Sequence, residues 1–146
     1  MTQIDQVISK GQLVPLFFSQ VDLAVSQTDV QLKVIEAGAT AMDVVGVAMP
    51  FDGEVVGISA DLDTAATAGS LTAGPTIDGV EVAGLTKTFP GSGQSANGVV
   101  SRGTARFAKG AKIGAEITTN GSFAPITADL LVVVWVLLYI GEGAGI

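Results

Sequence analysis

The sequence contains no cysteine and no histidine. The first absence removes disulfides and thiolate metal sites. The second removes the commonest general base and metal-binding side chain. Charge is scarce: 14% of residues are Asp, Glu, Lys or Arg, where about 25% is usual. Aromatics are 5%, with one Trp and one Tyr. No G-x-S-x-G elbow presents a serine nucleophile. Lys, carboxylates and Tyr139 are left for covalent or acid–base chemistry, so the chain is not expected to be an enzyme, and no cofactor is expected.

What is present is apolar and glycine-rich: 48% of the 146 residues are hydrophobic and 19 are Gly. A chain of this size forms one domain with a real core. Its low charge argues against disorder. It also implies that surface is buried beyond the core, in a membrane or against copies of the same chain. The net charge of −7 is uneven. Residues 1–87 hold three Lys against eleven acids, a net of −8, and residues 88–146 hold four basic residues against three acids, a net of +1. The basic residues Arg102, Arg106, Lys109 and Lys112 are too few, with too few aromatics, to suggest nucleic-acid binding. They read as a solvated strand face, with contact to an acidic partner as the second option. The start, "MTQIDQVISKGQLVP", lacks the basic and apolar regions of a signal peptide.

Near the end, "DLLVVVWVLLYIG" places eleven apolar residues in a row, Leu130 to Ile140. As a helix they would span roughly 16 Å, about half a bilayer core. As a strand they reach about 36 Å. Val132, Val133, Val134, Trp135 and Val136 favour the strand. The run is therefore read as a strand and not a membrane span. It is apolar on both faces, the Leu130–Val132–Val134–Val136–Leu138–Ile140 side and the Leu131–Val133–Trp135–Leu137–Tyr139 side. Both must be covered. A two-layer sandwich covers only one, so a neighbouring subunit is the simplest cover for the other. Which face does which is open in the sequence. Trp135 and Tyr139 could form a sugar-stacking platform, but in an aliphatic strand they fit core or interface better.

Most other segments also read as strands bounded by Gly, Pro, Asp or Asn. They are Val14–Val25, Val30–Glu36, Met42–Met49, Glu54–Asp63, Ser70–Ile77, Val80–Phe89, Val99–Ala108 and Ala111–Thr119. Asp78-Gly79 signals a type I′ hairpin, and Lys109-Gly110 a second tight hairpin. "PGSGQSANG" at 90–98 reads as a mobile loop; it lacks the Lys-Ser/Thr of a phosphate loop. Asp61 and Asp63 share one strand face, but no loop of further oxygen ligands surrounds them, so no metal site is expected. The expected fold is all-β: an antiparallel jelly-roll-like β-sandwich of about eight strands. Residues 1–13 are expected to be a short N-terminal arm and residues 14–146 one domain.

The stretch "MPFDGEVVGISADLDTAATAGSLTAGPTIDGVEVAGLT" at 49–86 carries a "PFDG" turn, then V-x-G-I-S and a small-residue strand pair. "ARFAKGAKIGAEITTNGSFAPITADLLVVVWVLLY" at 105–139 carries F-x-x-G-x-x-I-G, a Thr-Thr pair with a Phe/Pro loop, and the apolar strand. Together they resemble small jelly-roll virion proteins of tailed bacteriophages, among them capsid decoration (cement) proteins, head fibres and fibre tips. Lys112 departs from that pattern, standing where an acid often follows the hairpin glycine. Residues 1–48 lie outside the resemblance. It implies a homotrimer with a tumour-necrosis-factor-like or related jelly-roll plan, whose inner-sheet strands pack around the three-fold axis.

The expectation is then a virion protein on the outer capsid surface, made in the host cytoplasm, that cements the shell. Its partners would be itself and the major capsid protein, with no nucleic acid and no membrane. Val132, Val133, Val134, Trp135, Val136, Leu137 and Tyr139 are expected at the trimer interface. Gln3, Ile4, Gln6, Val7 and Lys10 of the arm, with Arg102 and Arg106, are expected to meet the capsid. The alternative is a receptor- or glycan-binding fibre tip, which would expect an upstream stalk.

Overall fold

The computed structural model describes residues 11–34 and 46–140. Among them there is no helix; the chain forms eleven strands in two antiparallel sheets. They are β1 (Gln12–Gln20), β2 (Val30–Gln31), β3 (Val47–Ala48), β4 (Gly53–Leu62), β5 (Leu71–Ile77), β6 (Val80–Glu81), β7 (Lys87–Thr88), β8 (Ser95–Val99), β9 (Arg106–Phe107), β10 (Lys112–Thr119) and β11 (Leu130–Leu138). Sheet A runs β1-β11-β4-β8, with β9 also on β4; sheet B runs β2-β10-β5-β6, with β3 on β10 and β7 on β5. The short strands lie end to end along shared edges. β8 and β9 both pair with β4, β6 and β7 with β5, and β2 and β3 with β10. Each sheet thus has four strand positions, in keeping with the eight-strand expectation.

The sheets enclose one core. Phe18 from β1, Val55, Ile58 and Ala60 from β4, and Val132, Val134 and Val136 from β11 meet Leu71 and Ala73 of β5 and Ile113, Ala115 and Ile117 of β10. Alternate residues supply this face because strand side chains have a period of two. Asp78 and Gly79 turn β5 into β6 with φ of 51° and 80°, the two positive values a type I′ turn needs.

Several local expectations fail; the strand expected over Val80–Phe89 is two short pieces, β6 and β7. β8 lies inside the segment expected to be a mobile loop, and the long strand expected over Val99–Ala108 is only its end plus β9. Ser95–Val99 is held by pairing with β4, from Asp61↔Ser95 to Gly57↔Val99, and a long-range ladder can override weak local propensity. Lys109-Gly110 is not a hairpin turn: β9 belongs to sheet A and β10 to sheet B, so this turn carries the chain across the sandwich. The first strand begins at Gln12 and not Val14, so Gln12 and Leu13 belong to the sheet and not to an arm.

Candidate functional site

β11 sits in the middle of sheet A, between β1 and β4. Its Leu130, Val132, Val134, Val136 and Leu138 point into the core. Leu131, Val133, Trp135 and Leu137 therefore point out, and Tyr139 continues that side. The two-faced strand is resolved, and the interface expectation is corrected: Val132, Val134 and Val136 are 0% exposed inside their own domain and cannot reach a second subunit. Val133, Trp135, Leu137 and Tyr139 lie on the outer face.

Cross-strand register brings further apolar residues to this face. Leu13 pairs with Leu137, Pro15 with Trp135 and Phe17 with Val133. On the other side Trp135 pairs with Gly57, which in turn pairs with Val99. Leu13, Phe17, Val99 and Leu131 are all exposed. Such a contiguous apolar patch marks an interaction surface more often than idle surface. Within it, Leu13, Val56, Gly57, Asn97, Val99 and Trp135 line a groove of about 380 Å³. Gly57 lies in the floor, where a Cβ would come 3.1 Å from the Gly98 carbonyl oxygen and fill space beside Val99 and Trp135. The Trp135 indole N–H donates to Ser59 Oγ at 3.1 Å, which fixes the ring along one wall.

A polar corner closes one end of the face. The pairing of β4 with β11 shifts between Trp135 and Val136, so Trp135 opposes Gly57 and Val136 opposes Val55. Val56 is the extra residue of this bulge, and bulges re-aim the side chains that follow. Val55 stays in the core and Glu54 faces outward, yet Glu54 is only 1% exposed. Arg102 Nε, the Tyr139 hydroxyl and the Gly103 amide all donate to its carboxylate. Burial pushes the Glu54 pKa up, but the hydrogen bonds from Tyr139, Arg102 and Gly103, with the Arg102 charge, outweigh it and hold the carboxyl below its ordinary value. Tyr139 moves the other way: burial and the hydrogen bond to Glu54 raise its pKa.

The basic stripe breaks up in three dimensions. Arg102 is paired with Glu54. Arg106 lies beside it, opposite Glu54 in the ladder. Lys112 belongs to β10 in the other sheet, so Arg102 to Lys112 is not one continuous surface. Gln3, Ile4, Gln6, Val7 and Lys10 lie outside the described residues.

Sheet B carries the cluster that could approach a cation. Asp29, Glu81 and Glu116 bring carboxylate oxygens within 4.8 Å of one another. Ca²⁺ takes six to eight oxygens, so three monodentate carboxylates supply about half a shell. Gln31 Nε2 already donates to Glu116 at 2.9 Å and Thr118 Oγ1 to Asp29 at 3.2 Å. Burial, then the charges of Asp29 and Glu81, push the Glu116 pKa up. No sequence spacing could have revealed this trio, because tertiary pairing alone joins the three segments. The Asp61/Asp63 pair does not form a site: Asp63 accepts the Asp129 amide at 2.8 Å, while Asp61 is exposed on the outer face of sheet A.

No protein-family model matches this chain, and no curated protein matches its sequence.

Proposed function

We propose that the protein is a structural virion component: a homotrimeric jelly roll that binds the outer surface of a phage capsid, on its major capsid protein, and reinforces the shell. The observation that carries this reading is the apolar outer face of sheet A, which nothing in the described chain covers. The strand path supports the jelly roll. β1, β4, β8 with β9, and β11 alternate along the chain with the strands of sheet B, the winding expected of a double-sheet roll. The action is mechanical. Three copies bound together add modest contacts by avidity, and binding that favours the assembled lattice stabilises it by mass action.

Light scattering tests the trimer: a mass of three chains is expected, and a stable monomer at micromolar concentration rejects it. Electron microscopy of capsids mixed with the protein tests the role. Density over the shell is expected, and bare shells reject decoration.

A second reading, a glycan-binding fibre tip, draws support from the Trp135 indole standing beside Asn97 and Ser59 in the groove. Trp fluorescence titrated with oligosaccharides separates the two: a saturable change in the intact oligomer favours the fibre tip.

A further inference from the structure

We propose that Glu54 is a clasp: its carboxylate holds the Ser101–Thr104 turn shut between two arginines, and protonation of Glu54 releases the turn. This device is independent of how copies of the chain assemble.

The turn is anchored at both ends and exposed between them. The Val100 amide donates to the Val56 carbonyl at 3.1 Å, and the Val55 amide donates to the Ala105 carbonyl at 2.9 Å. Both bonds grip β4 around its bulge. Ser101, Arg102, Gly103 and Thr104, between the anchors, are all exposed. The Thr104 amide closes the turn on itself, donating to the Ser101 carbonyl at 3.2 Å. Glu54 ties the turn to the sheet. Arg102 Nε donates to one carboxylate oxygen, and the Gly103 amide is shared between both at 3.3 Å. Glu54 is 1% exposed, whereas the Arg102 side chain over it is 56% exposed. A carboxylate so buried is destabilising once its partner is lost, and here the partner itself faces water.

Charge supplies the spring. Arg106 stands opposite Glu54 in the ladder of β4 and β9. Its guanidinium also packs against the turn: a Cβ on Gly103 would lie 3.6 Å from Arg106 Nη2 and 3.7 Å from Nε. Two guanidinium groups thus share one carboxylate. Tyr139 adds a neutral donor from the end of β11. Asp52 and Lys109 flank the corner, with the Lys109 amide donating to Asp52 Oδ1 at 2.7 Å. Protonating Glu54 leaves Arg102 and Arg106 as like charges facing each other, and like charges at close range repel. The turn is the part that can move, because the strands beside it are held by their ladders.

Burial alone would raise the Glu54 pKa; the bonds from Tyr139, Arg102 and Gly103 outweigh it and keep the carboxyl below its ordinary value of 4.5. The clasp is therefore complete above 4.5 and is lost as pH falls through the lower folded value.

Hydrogen exchange read by NMR tests the clasp. The Gly103 amide reports the turn, and the Val55 and Val100 amides report its anchors. In the wild type, Gly103 protection is expected to fall about tenfold between pH 6 and pH 3, with Val55 and Val100 unchanged. Glu54→Gln keeps the shape and drops the charge; it is expected to show the same loss already at pH 6. Arg106→Gln removes the repulsion and is expected to keep about threefold more Gly103 protection at pH 3 than the wild type. Joint loss at Gly103, Val55 and Val100 overturns the clasp, since the corner then opens only with the sheet. So does a Glu54→Gln protein, folded by Trp135 fluorescence, whose Gly103 amide stays protected at pH 6. If that variant does not fold, the other two proteins decide. Equal wild-type Gly103 protection at pH 6 and pH 3, or an Arg106→Gln protein that matches wild type at pH 3, overturns the clasp.

Discussion

Sheet A and sheet B share one core and present different surfaces. Sheet A turns Leu13, Phe17, Val133, Trp135 and Leu137 outward, with uncharged stretches along β1 and β8. Sheet B turns Thr72, Thr76, Glu116 and Thr118 outward, with Glu81 and Lys87 along one edge. The core constrains the inner faces in the same way, since any inward side chain must be apolar and fit. The outer faces differ in chemistry: that of sheet B is polar, with Thr76 and Glu116 buried among other side chains, and that of sheet A is apolar and, on our reading, meets copies of the chain. Two exposed valines make the contrast sharp. Val99 stands 81% exposed at the edge of sheet A and Val80 69% exposed at the edge of sheet B, and the reading assigns an assembly role only to the first.

Four predictions press on this contrast. The largest effect is Val134→Asp, which puts a carboxylate in the shared core; it should cost about 4 kcal/mol or more and abolish cooperative unfolding in a thermal melt. Trp135→Asp, one residue along and on the outer face, should leave a folded chain by circular dichroism and reduce the trimer to a monomer in sedimentation; a wild-type trimer would show that this face is not used. Next come the valines. Val99→Asp should weaken the trimer at least tenfold in dissociation concentration, whereas Val80→Asp should leave it unchanged and shift stability by no more than about 0.5 kcal/mol. Equal effects would erase the distinction between the sheets.

The smallest effect is in pH. Glu54 in sheet A has a lowered pKa, so its stabilisation is present above the ordinary value of 4.5 and is lost as pH falls through the lower folded value. Glu116 in sheet B has a raised pKa, so its burdened charge destabilises the fold at neutral pH, and the loss is relieved as pH falls toward 4.5. In denaturant titrations, Glu54→Gln should be less stable than wild type at pH 7, with the gap closing in acid. Glu116→Gln should be more stable at pH 7, with its advantage vanishing below pH 4.5. Parallel pH profiles for the two variants would contradict these environments.

Legibility in the sequence followed how strongly each segment carried its own signal. β11, β4, β5 and β10 were readable from apolar runs and alternation, and the Asp78-Gly79 turn from residue types that tolerate positive φ. β8 was not: its Ser, Ala, Asn and Gly are turn-like, and only hydrogen bonds to β4 make them a strand. Lys109-Gly110 looked like a hairpin because a tight turn does not reveal whether the next strand joins the same sheet. The outer surface was half legible. That β11 had two faces to cover followed from its composition. Phe17, Leu13 and Val99 joined it unannounced, because cross-strand register sets which residues become neighbours. The basic residues do not form one stripe for the same reason: Arg102 pairs with Glu54, and Lys112 lies in the other sheet.

By itself the sequence determined an all-β chain with more apolar surface than one sandwich core can hold, and a last strand needing cover on both sides. Those properties come from composition and from the two-residue period of a strand, which are local. Tertiary structure decided that Val132, Val134 and Val136 go inward and Trp135 outward, that Glu54 is buried under Arg102 and Tyr139, and that Gly57 opens a groove. Those depend on register and on the bulge at Val56, and a one-residue slip would exchange the two faces of β11.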